Sequence, residues 1–344
     1  MTSLVVKLIG KHSNRTPFSY PIYRKIFESK GFKITVDDYL IPDIVVLAFH
    51  VDIFENKDEI RRLLNLNSCL RVLIVSEEPL WDLTWNSDPF VTSRICEMSG
   101  IQYEYYNYYN SSIFQSDYVP YFITTESKYI IRYKFMIDQI LSAGKSHVKN
   151  KWDFAEKTLT CFVEKRVNEK YAVQYIEKNA RGYSVLRTKW STNVENYKNV
   201  ELQGKGWGRN IVRQALPDWH ADKLAFSSKK TKFLMSIENV NAPFYVTEKV
   251  YDAFASCSIP LVHLEQCEEL SRYFNLESLF KVHGDDGLDL IQFINSTKID
   301  SSYLDCYYTQ LMSLSKTFAD FDCIQAQRES IVEKLNNIIN ARTR

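Results

Sequence analysis

The chain has few of the features that hold metal frameworks or membrane spans. Its seven cysteines (Cys69, Cys96, Cys161, Cys257, Cys267, Cys306 and Cys323) are odd in number and form no C-x-x-C pair. Disulfide and metal frameworks are therefore not expected, and a reducing compartment is. No stretch reaches the roughly 18 consecutive apolar residues that mark a membrane span. The apolar run in MTSLVVKLIGKHSNRTPF is too short for a signal peptide. Net charge is +1, with no long block of one sign, so no nucleic-acid partner is implied. N-x-S/T triplets at Asn14, Asn110 and Asn295 carry little meaning without a secretion route. The expectation is a soluble, cytoplasmic protein.

What is present is enough for two cores. The 344 residues are 45% hydrophobic and 25% charged, a length and composition that suit two domains. The 22 tyrosines and 20 phenylalanines are read mainly as core and sheet residues. Ser3 to Ile9, Pro42 to Phe49 and Leu70 to Val75 read as strands, and Tyr20 to Ser29 and Ile53 to Leu64 as helices between them. That alternation predicts a parallel, doubly wound sheet. Tyr103 to Asn110 (YEYYNYYN) fits an edge strand, a packed aromatic patch or an acceptor surface. Tyr129 to Ser142 reads as a helix and Ala143 to Asp153 as a linker. Thr158 to Val163 then starts a second set: a helix over Glu169 to Asn179, and strands at Tyr183 to Leu186 and Val200 to Leu202.

Lys232 to Glu265 organises this second set. Phe233 to Ile237 is an apolar strand ending in Glu238-Asn239; a loop leads to a helix opening at Thr247-Glu248-Lys249, and Ile259 to Leu264 is a buried strand. Such strand–loop–helix–strand units bind nucleotides at the carboxyl ends of their strands. Lys249 in a first helical turn opposes the helix dipole unless an anion sits there.

The first set ends its third strand in Ser76-Glu77-Glu78-Pro79, so two carboxylates stand where ligands bind. Extended backbone points successive side chains to opposite sides, so one of the two is expected to face the cleft. Gln203 to Arg209 (QGKGWGR) carries three alternate glycines that let backbone approach a ligand. It is neither a dinucleotide fingerprint nor a P-loop. Gly284-Asp285-Asp286-Gly287 reads as a turn, and Asp320-Phe321-Asp322 is discounted as a metal site. Ile324 to Ile339 is amphipathic, chiefly a core-packing helix and in a minority reading a peripheral contact with a membrane.

SIEN at Ser236 to Asn239, YVTEK at Tyr245 to Lys249 and SIPLV at Ser258 to Val262 together resemble the signature of the α-1,3-fucosyltransferases, glycosyltransferase family 10. Glu77-Glu78-Pro79 is similar to that family's Glu-x-Pro motif, and Gly204-Lys205-Gly206 to its glycine-lysine turn. Ile237 stands where the family commonly has Phe, and Arg166 sits slightly off the spacing of the family's phosphate-binding arginine. The resemblance implies an α/β protein of GT-B fold, two Rossmann-like doubly wound domains facing a cleft. Residues 1–147 would bind the acceptor, 148–322 the nucleotide sugar, and 323–344 would form a helix against the first domain. It implies inverting transfer of L-fucose from GDP-fucose to a hydroxyl of an acceptor glycan, α-1,3 or α-1,4, without a metal, in bacterial polysaccharide or lipopolysaccharide synthesis. Glu77 is then the expected base, with Glu78 its alternative. Lys249, with Arg166 as second candidate, would hold the diphosphate and Glu248 the ribose, and Lys205 of the glycine-lysine turn would belong to the same nucleotide-sugar site. Tyr245, Glu238 and Asn239 would contact sugar or nucleotide. A different nucleotide-sugar donor, or a non-catalytic binder, are the alternatives.

Overall fold

A computed structural model describes residues 3–341 apart from 38, 87, 92–94, 208–214 and 285. Gly208, Arg209 and Asp285, singled out above, lie outside the described residues. The first sheet uses β1 (Leu4–Leu8), β2 (Phe32–Thr35), β3 (Ile44–Leu47), β4 (Arg71–Val75), β5 (Ile95–Met98) and β6 (Ile101–Tyr106). Their order is β2-β1-β3-β4-β6-β5, parallel except for β5 against β6. Helices α1 (Pro21–Ser29), α2 (His50–Glu55), α3 (Lys57–Leu66) and α4 (Pro79–Trp85) connect them. β3 is IVVL and wholly buried, as a strand covered on both faces must be. The expected helix at Ile53 to Leu64 is two helices broken at Asn56. The tyrosine-rich stretch is an interior strand rather than an edge, because β5 pairs outside it.

Next come α5 (Tyr121–Thr124), α6 (Ser127–Ala143) and α7 (Lys145–Asp153). The segment read as a linker is α7, held by its apolar residues: Val148 and Trp152 are buried in the second core. The second sheet contains β7 (Lys157–Phe162), β10 (Val200–Gln203), β11 (Thr231–Met235), β13 (Ile259–His263) and β14 (Phe280–Val282). Its order is β10-β7-β11-β13-β14, all parallel. The order reverses between β7 and β11, the place where open α/β sheets bind ligands. A small antiparallel sheet joins β8 (Gln174–Tyr175), β9 (Ala180–Gly182) and β12 (Val240–Asn241).

The helix expected at Glu169 to Asn179 is therefore replaced by 3-10 turns and β8. Asn168 caps the first turn and Asn179 is left-handed at φ 47°, both helix-interrupting roles that asparagine favours. The strand expected at Tyr183 to Leu186 is the start of α8 (Ser184–Asn193), whose Val185, Leu186 and Trp190 are buried. The remaining helices are α9 (Trp219–Lys230), α10 (Glu248–Ala255), α11 (Cys267–Leu270), α12 (Leu290–Ser296), α13 (Ser301–Ala319) and α14 (Phe321–Asn340). Asp320 caps α14 by accepting from the Cys323 amide, a structural use of that aspartate.

The cores do not follow chain order. Tyr129, Tyr133 and Ile137 of α6 lie in the core of the second sheet. Ile331, Val332, Leu335 and Ile339 of α14 lie in the core of the first. The amphipathic stripe of α14 is thus covered by protein. Among the described residues, no helix is long and apolar enough to cross a membrane. Two parallel Rossmann-like sheets, each with its own core and meeting along their strand ends, constitute the GT-B fold.

Candidate active site

Beyond β11 the chain places Glu238 under the start of α10. Glu238 is 2% exposed. Its carboxylate accepts from the Thr247 amide (2.7 Å), the Thr247 hydroxyl (2.8 Å) and Lys249 Nζ (2.6 Å). Lys249 Nζ also donates to Thr247 Oγ1 at 2.7 Å and lies 4.0 Å from Glu248 Oε1. The cation in the first helical turn is therefore offset by a buried carboxylate, which is what makes a buried charge tolerable. Glu248 has a second lysine 3.9 Å away, Lys223 of α9, which pairs with Asp252 Oδ2 at 2.7 Å. Asp252 is fixed in turn by His220 Nε2 and the Tyr133 hydroxyl, both at 2.7 Å.

Arg187 of α8 completes this half and was not singled out in the sequence. It is buried, donating through Nη1 to Asn239 Oδ1 at 2.5 Å. Its Nε meets no acceptor among the described residues. Burial lowers its pKa to about 10, against the pull of nearby Glu238. Arg166 is placed differently. It pairs with Glu164 (2.9 Å), reaches Ser184 Oγ (3.3 Å) and lies over the rings of Trp81 and Tyr171 at 5.0 and 5.2 Å. Lys205 is largely exposed and 3.9 Å from Glu164. Gly204, at φ 122°, runs so close to Val163 that a Cβ would strike its carbonyl oxygen.

The opposite half is built on Arg15. Arg15 Nε donates to Glu77 Oε1 at 3.0 Å and Nη2 to Glu78 Oε2 at 2.7 Å. Tyr20 donates to Glu77 Oε1 at 2.6 Å and Tyr121 to Oε2 at 2.8 Å. Both carboxylates thus meet one guanidinium, whereas strand alternation separates them. The chain leaves extended geometry at this point: Glu78 is the residue before the Pro79 that opens α4. Burial raises the pKa of Glu77, and Arg15, Tyr20 and Tyr121 pull it part of the way back. Arg15, Tyr20 and Tyr121 carry no local sequence signal, being one arginine and two of many tyrosines.

Tyr245 joins the halves. Its ring is buried, and its hydroxyl donates to Glu78 Oε1 at 2.6 Å across the domain boundary. Tyr109 reaches the Asn241 carbonyl at 3.3 Å beside it.

Residues 166–310 match the family model described as glycosyltransferase family 10 (fucosyltransferase), C-terminal part. A search of curated proteins finds no match. Among solved structures, an α1,3-fucosyltransferase with GDP-fucose shares 14% identity over 94% of this chain and 90% of that one, with a TM-score of 0.43. An α1,3-fucosyltransferase with GDP gives 14%, 94%, 91% and 0.44. An α,α-trehalose 6-phosphate synthase from Burkholderia multivorans gives 12%, 99%, 72% and 0.38. Residues 166–310, with the strand–loop–helix unit and its Glu238–Lys249 pair at their centre, thus match the C-terminal part of the glycosyltransferase family 10 (fucosyltransferase) model.

Proposed function

We propose that the protein transfers L-fucose from GDP-fucose to a hydroxyl of an acceptor glycan with inversion. The observation that carries this reading is the buried Glu238–Thr247–Lys249 cluster at the head of α10, linked through Tyr245 to the carboxylates after β4. The acceptor oxygen bonds to the anomeric carbon while the bond from that carbon to the GDP oxygen breaks, and the electron pair leaves with GDP. Glu77 takes the acceptor's proton. Its Oε2 accepts from Tyr121 alone among the described residues, so a lone pair remains for that proton. A raised pKa strengthens it as a base.

The leaving diphosphate meets Lys249, the α10 N-terminus and Arg187, whose unpaired Nε is a buried donor in waiting. Glu248 accepts the ribose hydroxyls. Arg166 and Lys205, tied to Glu164 at the ends of β7 and β10, stand as outer cations of the donor site. We infer a growing surface polysaccharide or lipopolysaccharide as acceptor and a cytoplasmic location. No membrane contact through α14 enters this reading, because its apolar stripe is used inside the protein. GDP release with GDP-fucose, other GDP- and UDP-sugars, and a set of glycan acceptors tests the proposal. Turnover confined to GDP-fucose is expected; turnover with another donor only would replace the sugar, and binding without turnover would make the protein a carrier.

A further inference from the structure

Glu78 has the form of a strut. Its two oxygens are taken by groups from different domains: Oε2 by Arg15, which also holds Glu77, and Oε1 by Tyr245. Tyr245 stands two residues before Thr247, and Thr247 bonds the same Glu238 that holds Lys249. Two runs of hydrogen bonds, 2.6 to 3.0 Å long, one through Lys249, Glu238 and Thr247 and the other through Tyr245, Glu78, Arg15 and Glu77, are therefore joined by the two-residue step of chain from Tyr245 to Thr247. Most of these side chains are buried, and burial leaves them few alternative partners. Tyr245 is itself wedged edge-on against Tyr108 of the first domain, at 5.3 Å between ring centres.

We propose that Glu78 and Tyr245 are positioning residues that couple the donor-holding loop to the base, so that Glu77 is correctly set only when the domains are joined through the Tyr245–Glu78 hydrogen bond. This rests on the reading of Glu77 as base. Arg15 divides its guanidinium between the two carboxylates. Without Glu78 it is left wholly to Glu77, and a neighbouring negative charge is lost as well; both changes favour the ionised form of Glu77. The strut thus also keeps Glu77 a stronger base.

The test is a double-mutant cycle with Tyr245→Phe and Glu78→Gln in the full-length protein. It reads donor affinity by titration calorimetry, kcat at saturating substrates, and the pH profile of kcat. Tyr245→Phe deletes one hydroxyl and keeps the buried ring, so it preserves the fold; melting curves check this. The expected result is donor Kd within about twofold of the parent in Tyr245→Phe and kcat lowered about tenfold or more. The double variant should lose no more than the worse single one. Glu78→Gln should move the acid limb of kcat to lower pH. Additive losses, or a Tyr245→Phe variant that loses donor affinity at unchanged kcat, would overturn the coupling and make Tyr245 a donor contact. If Glu77→Gln keeps its activity, the base is misassigned, but non-additivity in the cycle would still show the strut.

Discussion

The two halves of the site bury charge in different ways. The half proposed to hold the donor is local: Glu238, Thr247, Glu248, Lys249 and Asp252 lie within fifteen residues of one another, and Lys249 meets its counter-charge across a single loop. The acceptor half is assembled from afar. Arg15, Tyr20, Glu77, Glu78, Tyr121 and Tyr245 come from five places along the chain, and one guanidinium serves two carboxylates. The donor half has lysines on either side of Glu248 and a buried arginine nearby, an arrangement ready for an incoming anion. The acceptor half keeps one negative charge in excess and surrounds it with hydroxyls, as a base requires. A site that must hold a leaving group can be encoded in one helix start. A site that must hold a base in register with a second domain depends on contacts that only the finished fold creates.

Four substitutions break or sharpen that contrast. Glu77→Gln should lower kcat by about 10²- to 10⁴-fold, the usual worth of a general base, with donor Kd unchanged by calorimetry. Lys249→Ala should act on the other quantity. Removing a charge-assisted contact of about 1.5–3 kcal/mol weakens donor binding by roughly 10- to 150-fold, and it also leaves Glu238 buried without its cation. Leu335→Ala in α14 should cost about 2–3 kcal/mol in denaturant unfolding. Because that leucine fills the first core, folded variant should still bind donor normally.

The smallest effect concerns Asp82 of α4, which burial raises to about 7; Ser76 and Tyr105 lie close, but neither carboxylate oxygen forms a hydrogen bond of good geometry. A carboxyl with a raised folded pKa contributes stability below its ordinary value of 3.8, and that stability is lost as pH rises through about 7. Asp82→Asn, uncharged at every pH, should therefore be more stable than the parent at pH 8, where the parent bears the cost of a buried ionised carboxylate, and show little gain at pH 4. An equal change at both pH values would mean that the carboxyl is not protonated in the fold.

Legibility in the sequence followed the same divide. The parallel strands of both sheets were readable because their burial on two faces leaves continuous apolar runs, as in IVVL of β3 and RVLIV of β4. The clustering of Glu238, Glu248 and Lys249 is readable because strand end and helix start are close in sequence. Arg187 was hidden by a wrong element: Tyr183 to Leu186 looks apolar enough for a strand, and only tertiary contact makes it the first turn of α8. Arg15, Tyr20 and Tyr121 had no local mark, since their meaning lies in a carboxylate 62, 57 or 44 residues away. The exchange of helices between cores, α6 to the second and α14 to the first, is likewise a property of the whole chain.

The most direct measurement is a paired assay of the parent and Glu77→Gln with GDP-fucose and a glycan acceptor, following GDP release and fucosylated product together. Equal yields of GDP and product from the parent, GDP-fucose bound equally well by both proteins, and product formation lost in the variant are the predicted result. Full activity in Glu77→Gln, or a parent that binds GDP-fucose and forms no product with any acceptor, would contradict it.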